Sequence, residues 1–182
     1  FTYAYVHMAV KSVFDPDIPN NDGVAAPIRL IAPEGTVVNC RFPAAVAARM
    51  QIGHFITEVI YRALARALPG RVVAAGGGTP ATMLMFYGRR NDGQPFHAVL
   101  IRGGGLGAGP EQDGASSFIF PANGANTPVE ILESDAPLIV ECRELLPDSG
   151  GAGKHRGALG RREVFRVPDD AYAPQPPVMM AL

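Results

Sequence analysis

Apolar side chains recur three and four positions apart between Pro43 and Pro69, and polar side chains fill most of the positions between them. This spacing places the apolar residues on one face of an α-helix, which Pro69 and Gly70 would end. We therefore predict one long amphipathic helix over about residues 44–68. Its apolar face comprises Ile52, Phe55, Ile56, Val59, Ile60, Ala63, Leu64 and Leu68.

Short apolar or alternating runs, separated by turn-forming residues, predict strands elsewhere. Two of them flank the Pro33-Glu34-Gly35 turn within residues 26–43. The others cover residues 71–79, 81–90, 96–105, 138–145 and 163–167. The Asn91-Asp92-Gly93 stretch between two of these runs favours a hairpin. Residues 3–14 are compatible with a second helix.

These elements predict an α+β fold with strand-rich mixed sheets, one long amphipathic helix and many turns. The turns follow from the 21 glycines and 17 prolines among 182 residues. We divide the chain into a strand/helix part over residues 1–70 and a strand-rich part over residues 71–182.

Composition excludes several classes of protein. Hydrophobic residues make up 47% and charged residues 18%, which is enough to build a core. A net charge of −1 provides no field for nucleic acid or an anionic membrane, and no apolar run is long enough to span a bilayer. The two cysteines, far apart in sequence, favour buried thiols in a reducing compartment, so we expect a cytoplasmic protein.

The stretch DSGGAGKHRGALGRR, residues 148–162, contains a glycine followed by a lysine, as a phosphate-binding loop does. Such a loop also needs a glycine five positions before its second glycine, and a hydroxyl after its lysine. Here Asp148 and His155 occupy these two positions. The stretch is therefore predicted to be a glycine-rich connection that permits unusual backbone angles.

A second glycine-rich stretch, residues 103–109, follows a predicted strand and matches the relaxed dinucleotide pattern through Gly103, Gly105 and Ala108. That pattern needs a helix directly afterwards to face the pyrophosphate. Pro110 and polar residues follow instead. A loop that borders a pocket is the better interpretation.

Metal and nucleophile motifs are not apparent in the sequence. None of the four histidines has a second His or Cys at metal-ligand spacing, and no GxSxG elbow occurs. Polar loop residues are the remaining candidates. A carboxylate among them would act as a general base, and asparagines would hold a carbonyl or an oxyanion. The same residue types also form turns, so both interpretations remain open for each residue.

The chain as a whole resembles the hydantoinase B/oxoprolinase family, which includes B subunits of ATP-dependent hydantoinases, the C-terminal half of 5-oxoprolinase and subunits of acetone and acetophenone carboxylases. The matching stretches occur in the same order nearly end to end. They are residues 15–23 (DPDIPNNDG), 27–49, 103–109, 113–114, 126–133 (NTPVEILE), 148–160 (DSGGAGKHRGALG) and 167–171.

The resemblance implies that residues 1–182 are one fragment of a larger subunit of an ATP-dependent cyclic amide hydrolase. An A-type partner phosphorylates the substrate, and the B-type subunit completes hydrolysis. We expect a hetero-oligomer that acts on a small molecule. The implied catalytic residues are Asp113, Asn126 and Glu130, and the implied substrate-binding residues are Asn20, Asn21 and Thr127.

The resemblance places no cofactor in this chain. It implies a divalent metal in an N-terminal region that this chain lacks, and ATP with Mg²⁺ in the partner. Two alternatives remain: a subunit of an ATP-dependent ketone carboxylase, and a catalytically inactive scaffold fragment.

Overall fold

The computed structural model describes residues 1–47, 49–76, 81–90, 92–168 and 178–181. Within them the chain forms four helices and five strands, which confirms an α+β fold. The helices are α1 (Thr2–Phe14), α2 (Asp22–Ala25), α3 (Arg49–Leu64) and α4 (Val129–Asp135). The strands are β1 (Ala81–Arg89), β2 (Pro95–Gly103), β3 (Ile139–Leu145), β4 (Arg161–Arg166) and β5 (Val178–Ala181).

The described strands form two antiparallel sheets, one in the order β2-β1-β5 and one of β3 with β4. The predicted hairpin is confirmed: β1 pairs with β2 from Ala81 opposite Gly103 to Arg89 opposite Pro95. Gly93 in its turn has a φ of +80°, although Asn91 lies outside the described residues. Every described strand pair is antiparallel, so the expectation of mixed sheets is wrong for the described residues. A tight turn joins β1 to β2, and residues 146–160 between β3 and β4 contain no helix of the kind that usually carries a parallel crossover.

One core lies on the inner face of the larger sheet. Along β2 buried and exposed residues alternate, so that Phe96, Ala98 and Leu100 point inward. Leu132 of α4 packs onto them. Phe165 of the smaller sheet also packs against this core, and the two sheets therefore share one apolar layer.

A second core lies between α1 and α3, which confirms the helix expected over residues 3–14. Gly53 permits this packing, because a Cβ there would overlap the ring of Tyr5. The buried positions of α3 are Gly53, His54, Thr57 and Tyr61. Phe55 and Val59, part of the predicted apolar face, are 41% and 64% exposed.

The expectation of one long amphipathic helix is therefore not confirmed. Helix α3 is shorter than residues 44–68, and α1 is a second helix of 13 residues. The four buried residues of α3 are not on the predicted apolar face, although Ile60, Leu64 and Leu68 of that face pack against the second core. Close approach of two helices favours small residues at the contact, and apolar periodicity alone does not detect them.

The chain is less strand-rich than predicted. Residues 26–43 form only the Thr36–Asn39 bridge, and residues 71–76 form no strand. Three prolines in the first segment lack the N–H that a ladder needs. Cys40 is exposed and Cys142 half-buried, so the expectation of two buried thiols is also wrong. No described helix has the length and apolarity to span a membrane.

Candidate functional site

Three irregular segments meet beside the larger sheet: residues 73–76 after α3, residues 103–118 after β2, and residues 148–160 between β3 and β4. Backbone hydrogen bonds join them. Ala74 N donates to Ala108 O at 2.8 Å, and Gly114 N donates to Arg156 O at 2.8 Å. Ala158 N donates to Leu106 O at 3.3 Å. The two glycine-rich stretches of the sequence are therefore direct neighbours in space.

Glycine is required where these backbones touch. A Cβ on Gly107 would overlap the carbonyl oxygen of Ala74, and one on Gly114 would overlap that of Leu106. Gly105 also has a φ of +95°, which L side chains rarely adopt. No helix follows either stretch within the described chain, because β4 follows residues 148–160 and irregular backbone follows β2. Both stretches are therefore loops that pack against neighbouring backbone, as we predicted from their incomplete nucleotide-binding motifs.

The packed loops border an open cavity of about 630 Å³, which we call the arginine cavity. The charged side chains among the described residues that line it are those of Arg102, near the end of β2, and Arg161, the first residue of β4. The remaining described residues that line it are small: Ala75, Gly76, Gly103, Gly104, Gly107, Ser149, Gly151, Gly157, Ala158 and Gly160. The expectation that the glycine loop at 103–109 borders a pocket is therefore confirmed.

Both arginines of the cavity contact Glu163, whose side chain is 1% exposed. Arg102 Nη1 lies 2.6 Å from Glu163 Oε2, and Arg161 Nε lies 3.5 Å from Oε1. A third guanidinium, that of Arg143, places its Nε 2.8 Å from Oε1. One buried carboxylate thus faces three cations.

The excess of positive charge around Glu163 affects the pKa of Arg161. Burial lowers the pKa of its guanidinium, Glu163 partly counteracts that effect, and the positive charges of Arg102 and Arg143 lower it further. An arginine nevertheless remains charged at physiological pH. The cluster therefore carries surplus positive charge next to the cavity.

Glu58 of α3 lies at the edge of this region. Its Oε1 accepts a hydrogen bond from Gly76 N, a residue of the cavity wall, at 3.2 Å. Burial raises the pKa of its carboxyl, although the bond from Gly76 and the charge of Arg62 act in the opposite direction. From sequence alone Glu58 is simply part of an i, i+4 pair with Arg62 on the helix surface.

The three predicted catalytic residues have different local surroundings. Asn126 Oδ1 accepts a hydrogen bond from Arg161 Nη1, and its Nδ2 donates to Ser117 O at 2.8 Å. Asp113 Oδ1 accepts from Arg156 N at 2.8 Å. Glu130 is exposed in the first turn of α4.

The three predicted substrate-binding residues have different local surroundings. Asn20 borders a different cavity of about 430 Å³ beside α1. Asn21 is the N-cap of α2 and accepts a hydrogen bond from Val24 N at 3.2 Å. Thr127 O accepts from Arg143 Nη1 at 2.7 Å. None of the six predicted residues is among the described residues that line the arginine cavity, and their roles stay predictions.

The arginine cluster was not predicted from the sequence, although the spacing of its charged residues along the predicted strands is informative. Arg161 and Glu163 are two positions apart on β4 and so share a face, and Arg143 is the cross-strand partner of Glu163. Arg102 closes the largely apolar run of β2. Charged residues within strands that also contain buried residues are the signal that could have indicated this cluster.

Metal binding finds no support within the described residues, where no group of three or more His, Cys, Asp or Glu side chains could hold an ion.

Comparison with known proteins gives consistent results. The chain matches the family described as Hydantoinase B/oxoprolinase over residues 1–176. It is 37% identical over 171 residues to an uncharacterized protein of Methanocaldococcus jannaschii, covering 93% of this chain and 29% of that protein. It is 32% identical over 159 residues to the putative B subunit of a D-/L-hydantoinase of Pseudomonas sp., covering 86% of this chain and 26% of that protein.

The fold also resembles a solved structure. A chain of nucleotide-free acetone carboxylase, from work on ATP-dependent acetone carboxylation, matches with a TM-score of 0.72 at 23% identity. The match covers 91% of this chain and 22% of that chain. The present chain thus spans less than a third of the length of each of these proteins.

Proposed function

This chain belongs to the hydantoinase B/oxoprolinase family, and we propose that it forms part of the B-type subunit of an ATP-dependent hydrolase that opens a cyclic amide of the hydantoin or 5-oxoproline type. An A-type partner subunit phosphorylates the substrate, and the B-type subunit completes hydrolysis. The family match over residues 1–176 carries the proposal. Similarity to a putative hydantoinase B subunit supports both the substrate class and the hetero-oligomer.

Within this proposal the polar loop residues carry the chemistry. Asp113 or Glu130 is the general base that removes a proton from the water attacking the phosphorylated substrate, and phosphate leaves as the ring-opened product forms. Asn126 donates a hydrogen bond to the substrate oxygen at the reacting carbon. An amide nitrogen carries two hydrogens, so the bond from Asn126 Nδ2 to Ser117 O leaves one of them for the substrate oxygen. Asn20, Asn21 and Thr127 contact the substrate.

The proposed cofactors lie outside this chain. ATP and Mg²⁺ bind to the partner subunit, and a divalent metal binds to a region of the protein outside residues 1–182. None of the proposed steps passes through that metal. The glycine-rich stretches do not form a nucleotide-binding loop, because neither is followed by a helix whose N-terminus would face the phosphates. We also propose that the protein is cytoplasmic.

A ketone carboxylase subunit is the second candidate, favoured by the fold similarity to acetone carboxylase. The third candidate, an inactive scaffold, would leave the polar loop residues as turn formers only. The carboxylase would consume ATP with a ketone and bicarbonate, whereas the hydrolase would consume ATP with a cyclic amide alone.

The test uses the full-length protein purified with an A-type partner. ADP release is measured with hydantoin, with 5-oxoproline, and with acetone plus bicarbonate. The proposal expects release with a cyclic amide, and at least a ~100-fold lower kcat in Asp113→Asn or in Glu130→Gln. Glu111→Gln, in the same loop as Asp113 and also exposed, is the matched control and should keep the wild-type kcat.

A further inference from the structure

We infer that the arginine cavity binds a small oxyanion, the phosphate or carboxylate group of a small molecule, through Arg102 and Arg161. None of the six residues with proposed roles in hydrolysis is among the described residues that line this cavity, although Asn126 accepts a hydrogen bond from Arg161. It stands on the geometry and charge of the cavity and does not require the proposed hydrolase activity.

The first argument is charge. Arg102, Arg143 and Arg161 all contact the single carboxylate of Glu163, at 2.6, 2.8 and 3.5 Å. Their side chains are only 22%, 20% and 10% exposed, so water screens their mutual repulsion poorly. An anion in the cavity would supply the second negative charge that this cluster lacks.

The second argument is the fixed orientation of the guanidinium groups. Arg102 Nη1 donates a hydrogen bond to Glu163 Oε2, and Arg161 Nη1 donates one to Asn126 Oδ1. Arg161 Nε also lies 3.5 Å from Glu163 Oε1. Each guanidinium carries five N–H donors, more than these contacts use. Among the described residues Arg102 Nε has no acceptor although it is buried. Planar, preoriented donors of this kind suit phosphate and carboxylate oxygens.

The third argument is space. A volume of about 630 Å³ lies within the range of small-molecule sites. The wall between the two arginines consists mainly of glycine and alanine, which lets a ligand approach the backbone closely. A Cβ on Gly151 would meet nothing within 4 Å, so this part of the wall faces open space rather than packed protein.

The test is calorimetric titration of the full-length protein, without ATP or partner, with inorganic phosphate and separately with acetate at constant chloride concentration. Binding of phosphate alone identifies a phosphate subsite, and binding of acetate alone identifies a carboxylate subsite. Either result supports the inference. If neither anion binds, the inference is overturned.

Two variants locate the bound anion. Gly151→Val adds a branched side chain to the cavity wall, at a position where a Cβ meets nothing within 4 Å, and it should weaken binding at least tenfold. Gly70→Val is the matched control, because a Cβ there also meets nothing within 4 Å and Gly70 does not line the cavity; its affinity should equal that of wild type. Wild-type affinity in Gly151→Val would overturn the inference.

Arg161→Lys keeps the charge but removes the planar fork, and should weaken binding several-fold. It provides the readout if Gly151→Val unfolds, and unchanged affinity in this variant would equally overturn the inference. Because no turnover is measured, a failure of this inference and a failure of the proposed hydrolase are distinguishable.

Discussion

Asn126 Oδ1 accepts a hydrogen bond from Nη1 of Arg161, a residue 35 positions further along the chain. The same amide donates to Ser117 O and therefore joins the loop after β2 to the start of β4. Replacing Asn126 by alanine would leave these half-buried groups without a partner. We expect the free energy of unfolding to fall by about 1–3 kcal/mol in Asn126→Ala, measured by urea denaturation.

The control for this variant is Gln94→Ala, an exposed amide in the β1–β2 turn. It should change the free energy of unfolding by no more than about 0.5 kcal/mol. Equal stability of the two variants would mean that the Asn126–Arg161 bond does not hold the loop in place.

Glu163 is predicted to be the most sensitive polar residue of the described fold. Within that part of the chain, Glu163→Gln removes the carboxylate that faces Arg102, Arg143 and Arg161, and so leaves three cations uncompensated. We expect a loss of about 3–5 kcal/mol in the free energy of unfolding. Glu34→Gln, which breaks a pair with Arg41 whose side chains are 61% and 68% exposed, should cost less than about 1 kcal/mol. A Glu163→Gln variant as stable as Glu34→Gln would contradict this account of the cluster.

The sequence predicts the regular elements better than it predicts the cavity. The hairpin and the strands over 138–145 and 163–167 have local patterns, which the structure confirms as β1–β2, β3 and β4. The buried face of α3 was not predicted, because it depends on Tyr5 packing over Gly53 from a distant segment. The cavity likewise arises from contacts between residues 73–76, 103–118 and 148–160, and no local pattern encodes such contacts.

Gly107→Ala tests the packing of the glycine-rich loops. Its Cβ would overlap the carbonyl oxygen of Ala74, a backbone atom that cannot move without displacing residues 73–76. We expect a loss of about 1–3 kcal/mol in the free energy of unfolding, measured by thermal denaturation. Gly151→Ala, in the facing loop but with open space at its Cβ, should be nearly neutral in the same experiment. Equal thermal midpoints for Gly107→Ala and Gly151→Ala would show that the loops are not in close contact.

His54 is predicted to make stability depend on pH. It is 3% exposed beside the ring of Tyr5, and burial lowers the pKa of its imidazole below the ordinary value of 6.5. The unfolded chain therefore binds a proton at a higher pH than the folded chain does. Stability should be complete above about pH 6.5 and should fall as the pH drops from there through the folded pKa.

The measurement is the free energy of unfolding of wild type and His54→Gln between about pH 7.5 and pH 5. The difference between the two curves should change by at most about 1.4 kcal/mol per pH unit below about pH 6.5. The raised pKa of Glu58 acts with the opposite sign, but it is common to both proteins and cancels in the difference. Parallel curves of the free energy of unfolding against pH for the two proteins would rule out His54 as the cause of the pH dependence.

The central claim, ATP-dependent opening of a cyclic amide, is tested most directly by stoichiometry. The full-length protein and its A-type partner are incubated with ATP and 5-oxoproline or hydantoin, and ADP and ring-opened product are quantified in the same sample. We predict one ADP for each ring opened with at least one of these substrates, and neither product when either subunit is omitted. ADP release that requires a ketone and bicarbonate, with no ring-opened product from any cyclic amide, would contradict the claim.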